Sequence, residues 1–463
     1  MPPAHEEVPL SSFCTWIAWR DVCQVQVTLS APTTTPSQEG HRLGTREYRR
    51  LAIALFAAGI ATFSSLYCTQ PLLPLLQAAY RITPAQAALS VSATTLALGV
   101  GMLLVSPLSD AFGRVRFMRV ALGATAVVGL ACAVAPNWPV LLVLRAVQGL
   151  ALAGLPAVAM AYLREEVHRQ AHARAAGLYI AGTAIGGMLG RLVAGGLADV
   201  LGWRAAVGGV ALLALACAVT VFALLPASRR FVAAPASPAR LARLTGRLLT
   251  DPVLLALDGI GAALMGAFVA VFNALGFRLA ADPYRLSAGV AGLVFLVYPI
   301  GSLASALAGR AAGRFGQRPV VPAGVVIMAA GGLLTLAGPL PLIIAGLAVL
   351  TFGFFAAHGV ASGWVAARAQ LGGGGTGQAS ALYLLAYYLG SSVFGALSGR
   401  AWSAGGWPAV TAMTVALTVA GGLLALALTR TRPLAQAAGE RAAAERAAGE
   451  RAAGAPAAVT GTT

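Results

Sequence analysis

The chain has 463 residues, of which 58% are hydrophobic and 10% are charged. Soluble globular domains average about half hydrophobic and a quarter charged residues, so this composition excludes an ordinary soluble protein and indicates a membrane protein. The formal net charge of +17 does not indicate nucleic-acid binding, because most of the 32 basic residues lie between apolar segments and they form no basic motif. The five cysteines lack the spacing of a metal site or a disulfide framework, so we interpret them as small thiols within the fold.

The two ends of the chain differ from the rest. Residues 1–41 contain acidic residues, proline, serine and threonine, and no apolar run long enough for a cleavable signal peptide. We predict a disordered cytoplasmic extension there and exclude it from the fold; a misplaced start codon is the alternative. Residues 431–463 repeat an alanine-rich Glu-Arg unit without an apolar stripe, so this tail is also predicted to be disordered.

Between the ends, twelve segments of about 20 apolar residues are each long enough to cross a bilayer. The first six lie at 51–76, 85–105, 117–136, 139–162, 175–197 and 204–226. A polar, arginine-bearing cytoplasmic linker is predicted at 227–250. The other six lie at 252–277, 286–308, 318–337, 340–365, 376–398 and 407–429. The sequence therefore predicts an all-α membrane protein with twelve transmembrane helices in two six-helix bundles, at 42–226 and 251–430.

The arginines are distributed unequally between alternate connecting segments. With a cytoplasmic N-terminus, 21 arginines fall in the inside segments and 5 in the outside segments. The outside arginines are Arg81, Arg204, Arg278, Arg285 and Arg400. Because cytoplasmic loops carry an excess of positive charge, we predict a bacterial inner-membrane protein with both termini in the cytoplasm.

A polar turn follows the second segment and contains Asp110, Gly113, Arg114 and Arg116. Gly113 interrupts the helix, and the two arginines place positive charge at the membrane surface. Asp110 can accept hydrogen bonds at the start of the next helix. We hypothesise that Asp110 forms a latch with Arg114 or another cytoplasmic arginine in one of two conformations; the alternative is a simple helix cap.

This turn has a second copy around Arg314, where Gly316 follows Gly113 by 203 residues. A Gly-Trp pair that begins at Gly202 recurs at Gly406, 204 residues later. Two independent landmarks at almost the same offset predict two similar halves of about 200 residues, an arrangement found in many transporters.

Three ionisable side chains inside the apolar segments are candidates for function, because such groups are costly in a bilayer unless they face a cavity or a partner. Arg145 in the fourth segment is either a hydrogen-bond hub between helices or a site that senses a proton or an anionic group. Arg191, among glycines in the fifth segment, faces a cavity or a helix carbonyl and is a candidate for the substrate site. Asp258 in the seventh segment is a candidate proton carrier, since burial can favour the neutral form of a carboxyl group; a water-facing or helix-paired aspartate is the alternative.

Aromatic and polar side chains at membrane depth predict a cavity of mixed character. A single such group usually forms its hydrogen bonds with a neighbouring helix, so only the whole set of groups indicates a cavity. Its members are Tyr67 and Gln70 in the first segment, Asn273 in the seventh, His358 in the tenth, and Tyr383 and Tyr387 in the eleventh.

The motifs of common enzymes are missing from the sequence. It contains no paired carboxylates at helical spacing inside the segments, no His-Glu-x-x-His, no phosphate-binding loop and no Gly-x-Ser-x-Gly. We therefore expect no enzymatic activity, no cofactor and no bound metal.

The motifs over residues 42–430 resemble the major facilitator superfamily, and within it the twelve-span drug:proton antiporter branch and the YnfM-like inner-membrane transport proteins. The residues that carry the resemblance are Leu108, Asp110, Gly113 and Arg114 in the turn, Gly309, Arg314, Gly316 and Arg318 in its copy, Arg145, Gln148 and Gly149 in the fourth segment, and the stretches 67–74, 265–273 and 382–390.

The resemblance implies gating by the charged turns and proton coupling at the fourth-segment arginine. Two family features are missing: the Gly-Pro step of the fifth segment and the acidic residue of the first segment. Proton coupling would therefore run through groups such as Asp110, Arg145 or Asp258.

We predict a secondary active transporter that exports a small organic molecule in exchange for protons, with the substrate cavity between the bundles near the bilayer midplane. Its expected partners are the substrate, protons and the lipid bilayer, with no nucleic acid, and a monomer is expected. Uptake or uniport of a sugar-like or anionic solute is the alternative within this class. A non-transporting membrane receptor is the alternative from another class.

Overall fold

The structure is a computed structural model that describes residues 40–231, 238–372 and 374–430. Six side chains within those ranges are not described: Ser106, Pro107, Asp110, Ala157, Pro238 and Arg240. The predicted tail at 431–463 and the predicted extension at 1–41, apart from its last two residues, lie outside the described residues.

Nearly all of the described chain is helical. The first half contains helices α1 (Arg46–Tyr67), α2 (Leu73–Tyr80), α3 (Pro84–Phe112), α4 (Arg114–Ala133), α5 (Trp138–Glu166) and α6 (His172–Leu224). The rest contains α7 (Pro238–Leu248), α8 (Pro252–Ala280), α9 (Ala288–Gly292), α10 (Pro299–Phe315), α11 (Gln317–Leu334), α12 (Leu340–Leu371) and α13 (Thr376–Thr429). Short 3₁₀ segments lie at Gln70–Leu72, Arg169–Ala171 and Leu293–Val297. The predicted all-α fold class is confirmed.

Polar residues determine where several of the helices begin. At α3, the Thr83 hydroxyl accepts a hydrogen bond from the Gln86 backbone N–H (3.2 Å), and Gln86 Oε1 accepts one from the Thr83 N–H (2.8 Å), which is a capping box. The side chains of Asn137 and Asp251 accept hydrogen bonds in the first turns of α5 and α8, at 3.0 and 2.9 Å. All three helices have a proline in the first turn, where its missing N–H costs no hydrogen bond.

Ten helical stretches of the described chain are long and apolar enough to cross a bilayer. Two of them are much longer than one crossing requires: α6 has 53 residues and α13 has 54, about 80 Å each if straight, against a hydrocarbon core of about 30 Å. Non-helical backbone interrupts α6 at Gly202 and α13 at Gly405 and Gly406. The pieces on either side of each break are long enough to cross separately, as twelve spans would require. The number twelve itself stays a prediction.

Four glycines mark equivalent turns in the two halves. Gly113 and Gly316, each between two helices, have φ angles of 90° and 83°. Gly202 and Gly406, at the breaks in α6 and α13, have φ angles of 80° and 60°. Residues with a Cβ atom are strained in this conformation, so the turns require glycine. The repeat found in the sequence is therefore also present in the backbone.

The two halves also repeat their helix packing. In the first half α1 packs against α6, and in the second half α8 packs against α13. A Cβ atom at Gly186 would lie 2.6 Å from Ile60 Cα, and one at Gly390 would lie 2.0 Å from the Ala262 carbonyl oxygen. Glycine thus lets the helix backbones touch, as is common where transmembrane helices pack. Between the halves, α3 contacts α13 and α6 contacts α9.

Helix α7 lies within the predicted linker at 227–250, where the sequence analysis predicted no helix. Its Leu248 is buried, and a Cβ atom at Gly375 would lie 2.7 Å from a methyl carbon of its Leu244. Its Thr245 hydroxyl accepts a hydrogen bond from Gln378 Nε2 (2.9 Å). These contacts attach α7 to the first turn of α13, so part of the linker belongs to the second half.

Candidate functional site

A chain of hydrogen bonds between buried groups joins the two halves. Arg191 on α6 donates from Nε to Gln70 Oε1 (2.7 Å), in the 3₁₀ segment after α1. Gln70 donates from Nε2 to Asn273 Oδ1 on α8 (2.8 Å), and Asn273 Nδ2 donates to the Gly395 carbonyl on α13 (3.2 Å). The three side chains are at most 2% exposed. Because these residues come from both halves, this chain of hydrogen bonds can form only while the halves are close together at this position.

The repeat explains why these residues meet. Gln70 and Asn273 are 203 residues apart, and Arg191 and Gly395 are 204 apart. Gln70 and Asn273 therefore occupy equivalent positions in the two halves and bind each other across the interface. The position equivalent to Arg191 is a glycine, Gly395. The series of hydrogen bonds therefore has a positive charge at its first end and a backbone carbonyl at its last.

Three aromatic rings surround the Arg191 guanidinium group. Its central carbon lies 4.4 Å from the ring centre of Tyr67 and 4.8 Å from those of Phe295 and Tyr298, distances at which a cation and a π system attract. Nη1 donates to the Gly187 carbonyl one turn earlier on α6. Tyr67 belongs to the first half, whereas Phe295 and Tyr298 belong to the second. The guanidinium group is therefore held between the halves.

Other contacts between the halves lie at the same end of the helices or near their middle. Asp199 Oδ2 on α6 accepts hydrogen bonds from Ser287 Oγ (2.6 Å) and from the Gly289 N–H (3.0 Å). Near the middle of α3 and α13, the hydroxyl oxygens of Thr95 and Ser392 are 2.7 Å apart. Across the described ranges, every hydrogen bond between the halves falls in these two zones. We call the end that contains Gln70, Asn273 and Asp199 the joined end.

A cavity of about 310 Å³ lies at the joined end. Residues of both halves line it, among them Gln70, Asp199, Phe272, Ser287 and Phe295. Gln70 and Phe295 also contact Arg191. These two side chains therefore separate the cavity from the buried charge.

A second cluster lies within the second half, around His358 on α12. His358 Nδ1 and the Tyr383 hydroxyl share a hydrogen bond of 2.9 Å. The imidazole ring stacks on Phe354 at 5.5 Å between ring centres and lies 4.7 Å from the Tyr387 ring. Phe268 connects this cluster to the rings around Arg191, because it stacks on Phe354 at 4.2 Å and contacts Tyr298 at 5.8 Å. An aromatic wall thus extends from the Arg191 site to His358.

Asp258 on α8 lies beside this wall. It is one turn before Gly261, where a Cβ atom would be 2.8 Å from the Tyr383 ring. Its Oδ1 atom is buried and has no hydrogen-bond partner among the described residues. Asp258, His358, Tyr383 and Tyr387 are therefore neighbours, although the sequence had singled them out from three separate segments.

Arg145 on α5 lies outside both clusters. It is fully buried and donates to the carbonyls of Ser65 (3.0 Å), Leu66 (2.8 Å) and Ser90 (3.1 Å), and to Gln148 Oε1. Gln148 in turn donates to a carbonyl on α4 (3.2 Å). Ser65 and Leu66 are in the last turn of α1, where carbonyls lack partners within the helix. Of the two predicted roles, these contacts favour the hub between helices.

The charged turns lie at the end opposite to the joined end. Arg114 pairs with Glu165 on α5 (3.0 Å) and donates to Ser109 Oγ (2.7 Å). Arg116 and Arg314 are exposed. The Asp110 side chain lies outside the described residues, so the latch hypothesis stays a prediction.

Several residues that join the halves have no distinguishing signal in the sequence. Phe295 and Tyr298 lie in an apolar segment without any polar signal, and Asp199 lies in a connecting region where an acidic residue is ordinary. The repeat offset could have indicated Tyr298, because it is 203 residues after Thr95, which is also at the interface. The partner of Arg114, Glu165, was missed as well, since nothing in the sequence relates the start of α4 to the end of α5.

Comparison with known proteins identifies the family. The family model of the Major Facilitator Superfamily matches residues 55–281. The MFS-type transporter YybF of Bacillus subtilis is 41% identical, with the alignment covering 80% of this chain and 91% of the relative. The inner membrane transport protein YnfM of Escherichia coli is 42% identical over 81% of this chain and 89% of the relative. A crystal structure of a bacterial homologue of the human lysosomal transporter Spinster, inward-facing and occupied, shares the fold with a TM-score of 0.66 at 15% identity, covering 84% of this chain and 97% of that chain.

Relatives above 40% identity over most of both chains leave no ambiguity about the family. The resemblance predicted from the charged turns and the fourth segment is confirmed, and so is the expectation that the protein is not an enzyme. The chain belongs to the major facilitator superfamily, as a multi-pass membrane protein that carries out secondary transport by alternating access.

Proposed function

We propose that this transporter exports a small organic molecule from the cytoplasm in exchange for protons. The observation that carries the proposal is the Asp258 carboxylate, whose Oδ1 atom is buried without a hydrogen-bond partner among the described residues, next to the wall formed by Tyr383 and His358. A carboxyl group that alternates between water and an apolar wall changes its affinity for protons. Asp258 is thus suited to take up a proton in one conformation and release it in the other.

The contacts between the halves support alternating access in a specific form. The Arg191–Gln70–Asn273–Gly395 chain and the Asp199 contacts hold the joined end together, so the halves must separate there in the other conformation. With the predicted orientation the joined end faces the periplasm. The described conformation would then be the one in which substrate and proton exchange with the cytoplasm.

The proposed substrate cavity is the space between the halves along the aromatic wall. In this proposal, Tyr67, Arg191, Tyr383, Tyr387 and His358 contact the substrate. Flat aromatic surfaces with few polar groups suit a small organic molecule better than a sugar, which needs many hydrogen-bond partners.

Transport into inside-out membrane vesicles tests the proposal. The probes are three naphthalene compounds of matched size: anionic 2-naphthoate, neutral 2-naphthamide and cationic 2-naphthylmethylamine. We expect at least one probe to accumulate when the vesicle lumen is acidic, and a protonophore to abolish the accumulation. Asp258→Asn should still exchange that probe down its own gradient but should lose the response to pH. Accumulation that survives the protonophore would contradict proton coupling.

If the protein instead takes up its substrate, a probe should accumulate in right-side-out vesicles when their exterior is acidic. A probe that accumulates there and not in inside-out vesicles would favour uptake over export. An anionic solute, which the uptake alternative names, is equally compatible with export, because Arg191 provides a buried positive charge.

A further inference from the structure

The buried charge of Arg191 has no counter-ion among the described residues. The ion pairs among the described residues are Arg114–Glu165, Arg285–Asp282 and Arg368–Asp251, and Arg191 forms none with a described residue. Its Nε and Nη1 atoms donate to Gln70 and Gly187, but Nη2 has no acceptor within the described ranges. A buried cation without a negative partner is costly for a protein, so its presence calls for an explanation.

Other buried arginines in this chain do not share this arrangement. Arg278 on α8 is 8% exposed and rests on the Trp407 ring (4.6 Å), but both of its terminal nitrogens donate to backbone carbonyls, those of Thr335 and Ala337. Arg145 likewise donates to three carbonyls of its own half. Arg191 instead has a terminal nitrogen without an acceptor among the described residues, and two of the three rings around it belong to the opposite half, which moves away when the halves separate.

We propose that Arg191 binds the negatively charged group of the substrate, and that the substrate is an organic monoanion. This inference rests on the proposed function, since it names the charge of the molecule that the transporter carries. Among the described residues, only Nη2 of this guanidinium group is left to donate a hydrogen bond. One such donor on one positive charge matches one carboxylate or sulfonate. The aromatic wall that continues from Tyr67 and Tyr298 towards Tyr387 gives the apolar part of the molecule a surface to stack on.

Acidic residues near the site do not neutralise it. Asp199 is two turns from Arg191 on α6, and its Oδ2 atom is held by Ser287 and Gly289. Asp258 lies at the opposite end of α8 from Asn273, 15 residues away, or about 22 Å along the helix. The positive charge at Arg191 is therefore locally uncompensated.

Equilibrium binding to the purified full-length protein, without any gradient, tests the inference. The probes are the same naphthoate, naphthamide and naphthylmethylamine, with 2-naphthalenesulfonate as a second anion. We expect both anions to bind at least about tenfold more tightly than the neutral and cationic probes, as a charged hydrogen bond in a buried site provides. Arg191→Gln should abolish this preference, and Arg191→Lys should retain part of it. Arg278→Gln, which alters a buried arginine away from the interface, should keep it.

A second variant covers the case in which Arg191→Gln does not fold. Gln70→Ala removes the acceptor at Nε and leaves the charge in place, so the preference for both anions over the neutral and cationic probes should persist, and its loss would overturn the inference. Equal affinity for all four probes, or unchanged anion preference in Arg191→Gln, would overturn the inference. Because binding is measured without a gradient, these outcomes are independent of proton coupling: gradient-driven transport of only the neutral or cationic probe would refute the anion site and leave the proposed export intact.

Discussion

Arg145 and Arg191 are both buried in the first half, yet their surroundings differ. Arg145 has acceptors that belong to its own half, namely the carbonyls of Ser65, Leu66 and Ser90. Arg191 is enclosed partly by its own half and partly by rings from the other half. Burial alone therefore does not separate a structural arginine from a functional one. We propose that the half that supplies the partners does, because contacts within a half can persist while the halves separate and contacts between the halves cannot.

The difference leads to a general expectation for this protein. Removing a contact within one half should lower stability and leave the balance of conformations unchanged. Removing a contact between the halves should change that balance and affect stability less. Four substitutions test this distinction, and the effects decrease from the first to the last.

Arg145→Met should have the largest effect, a loss of stability of about 3 kcal/mol or more, because it leaves several buried acceptors without a donor. Thermal unfolding of the purified protein measures the change. Arg191→Met is the matched control, with an expected loss of about 1 kcal/mol or less, since it also removes an uncompensated buried charge. Equal stability of the two Met variants would instead favour the other predicted role of Arg145, a site that senses a proton or an anionic group.

Asn273→Ala should shift the balance of conformations by about tenfold, because it removes the buried hydrogen bond with Gln70 that joins the halves. A single cysteine at Leu275, a buried residue that lines the cavity, should then react faster with an alkylating reagent in a background without other cysteines. Thr414→Ala removes a buried hydroxyl that bonds only within its own helix and should not change the rate. A faster reaction in both variants would point to general loosening instead.

Ser392→Ala should have a smaller effect in the same assay, about threefold, because one hydroxyl contact with Thr95 is lost. Ser398→Ala is the control on the same helix, since Ser398 is equally buried and bonds only to the Gly395 carbonyl within α13. If both serine variants give the same alkylation rate, the Thr95–Ser392 contact does not favour the described conformation.

Glu165→Gln should have the smallest effect, a loss of stability of about 0.5 kcal/mol or less, because its ion pair with Arg114 is partly exposed. The pair lies within the first half, so alkylation at Leu275→Cys should be unchanged. Asp110→Asn is the companion variant, for which the latch hypothesis predicts altered alkylation. Unchanged alkylation in Asp110→Asn would favour the simple helix cap.

Much of the fold follows from features that repeat along the chain. Apolar segments of membrane length, polar caps such as Thr83, and glycines such as Gly113 and Gly316 each depend on local chemistry, which the sequence displays directly. The 203-residue offset contained more information than the sequence analysis used. It relates Gln70 to Asn273, and both were candidates for the cavity, but nothing in the sequence showed that equivalent positions would touch.

The acceptors of the two arginines could not be predicted in the same way. The Arg145 acceptors are mostly backbone carbonyls, and every residue has one, so the sequence does not distinguish Ser65 or Ser90 from their neighbours. The rings around Arg191 come from an apolar segment of the other half, where Phe295 and Tyr298 resemble ordinary lipid-facing or core residues. Such partners depend on how the helices pack, which is a property of the whole fold.

The central claim is that the Gln70–Asn273 contact exists in one conformation only. Distances between spin labels test it, with one pair at the joined end, Val200 and Ala281, and one at the opposite end, Phe112 and Phe315, all at exposed positions. In Gln70→Ala or Asn273→Ala, we expect longer distances at the joined end and shorter ones at the opposite end, with no further change in the double variant, since both remove the same contact. Unchanged distance distributions at both ends in the single variants would show that the Gln70–Asn273 contact is not specific to one conformation.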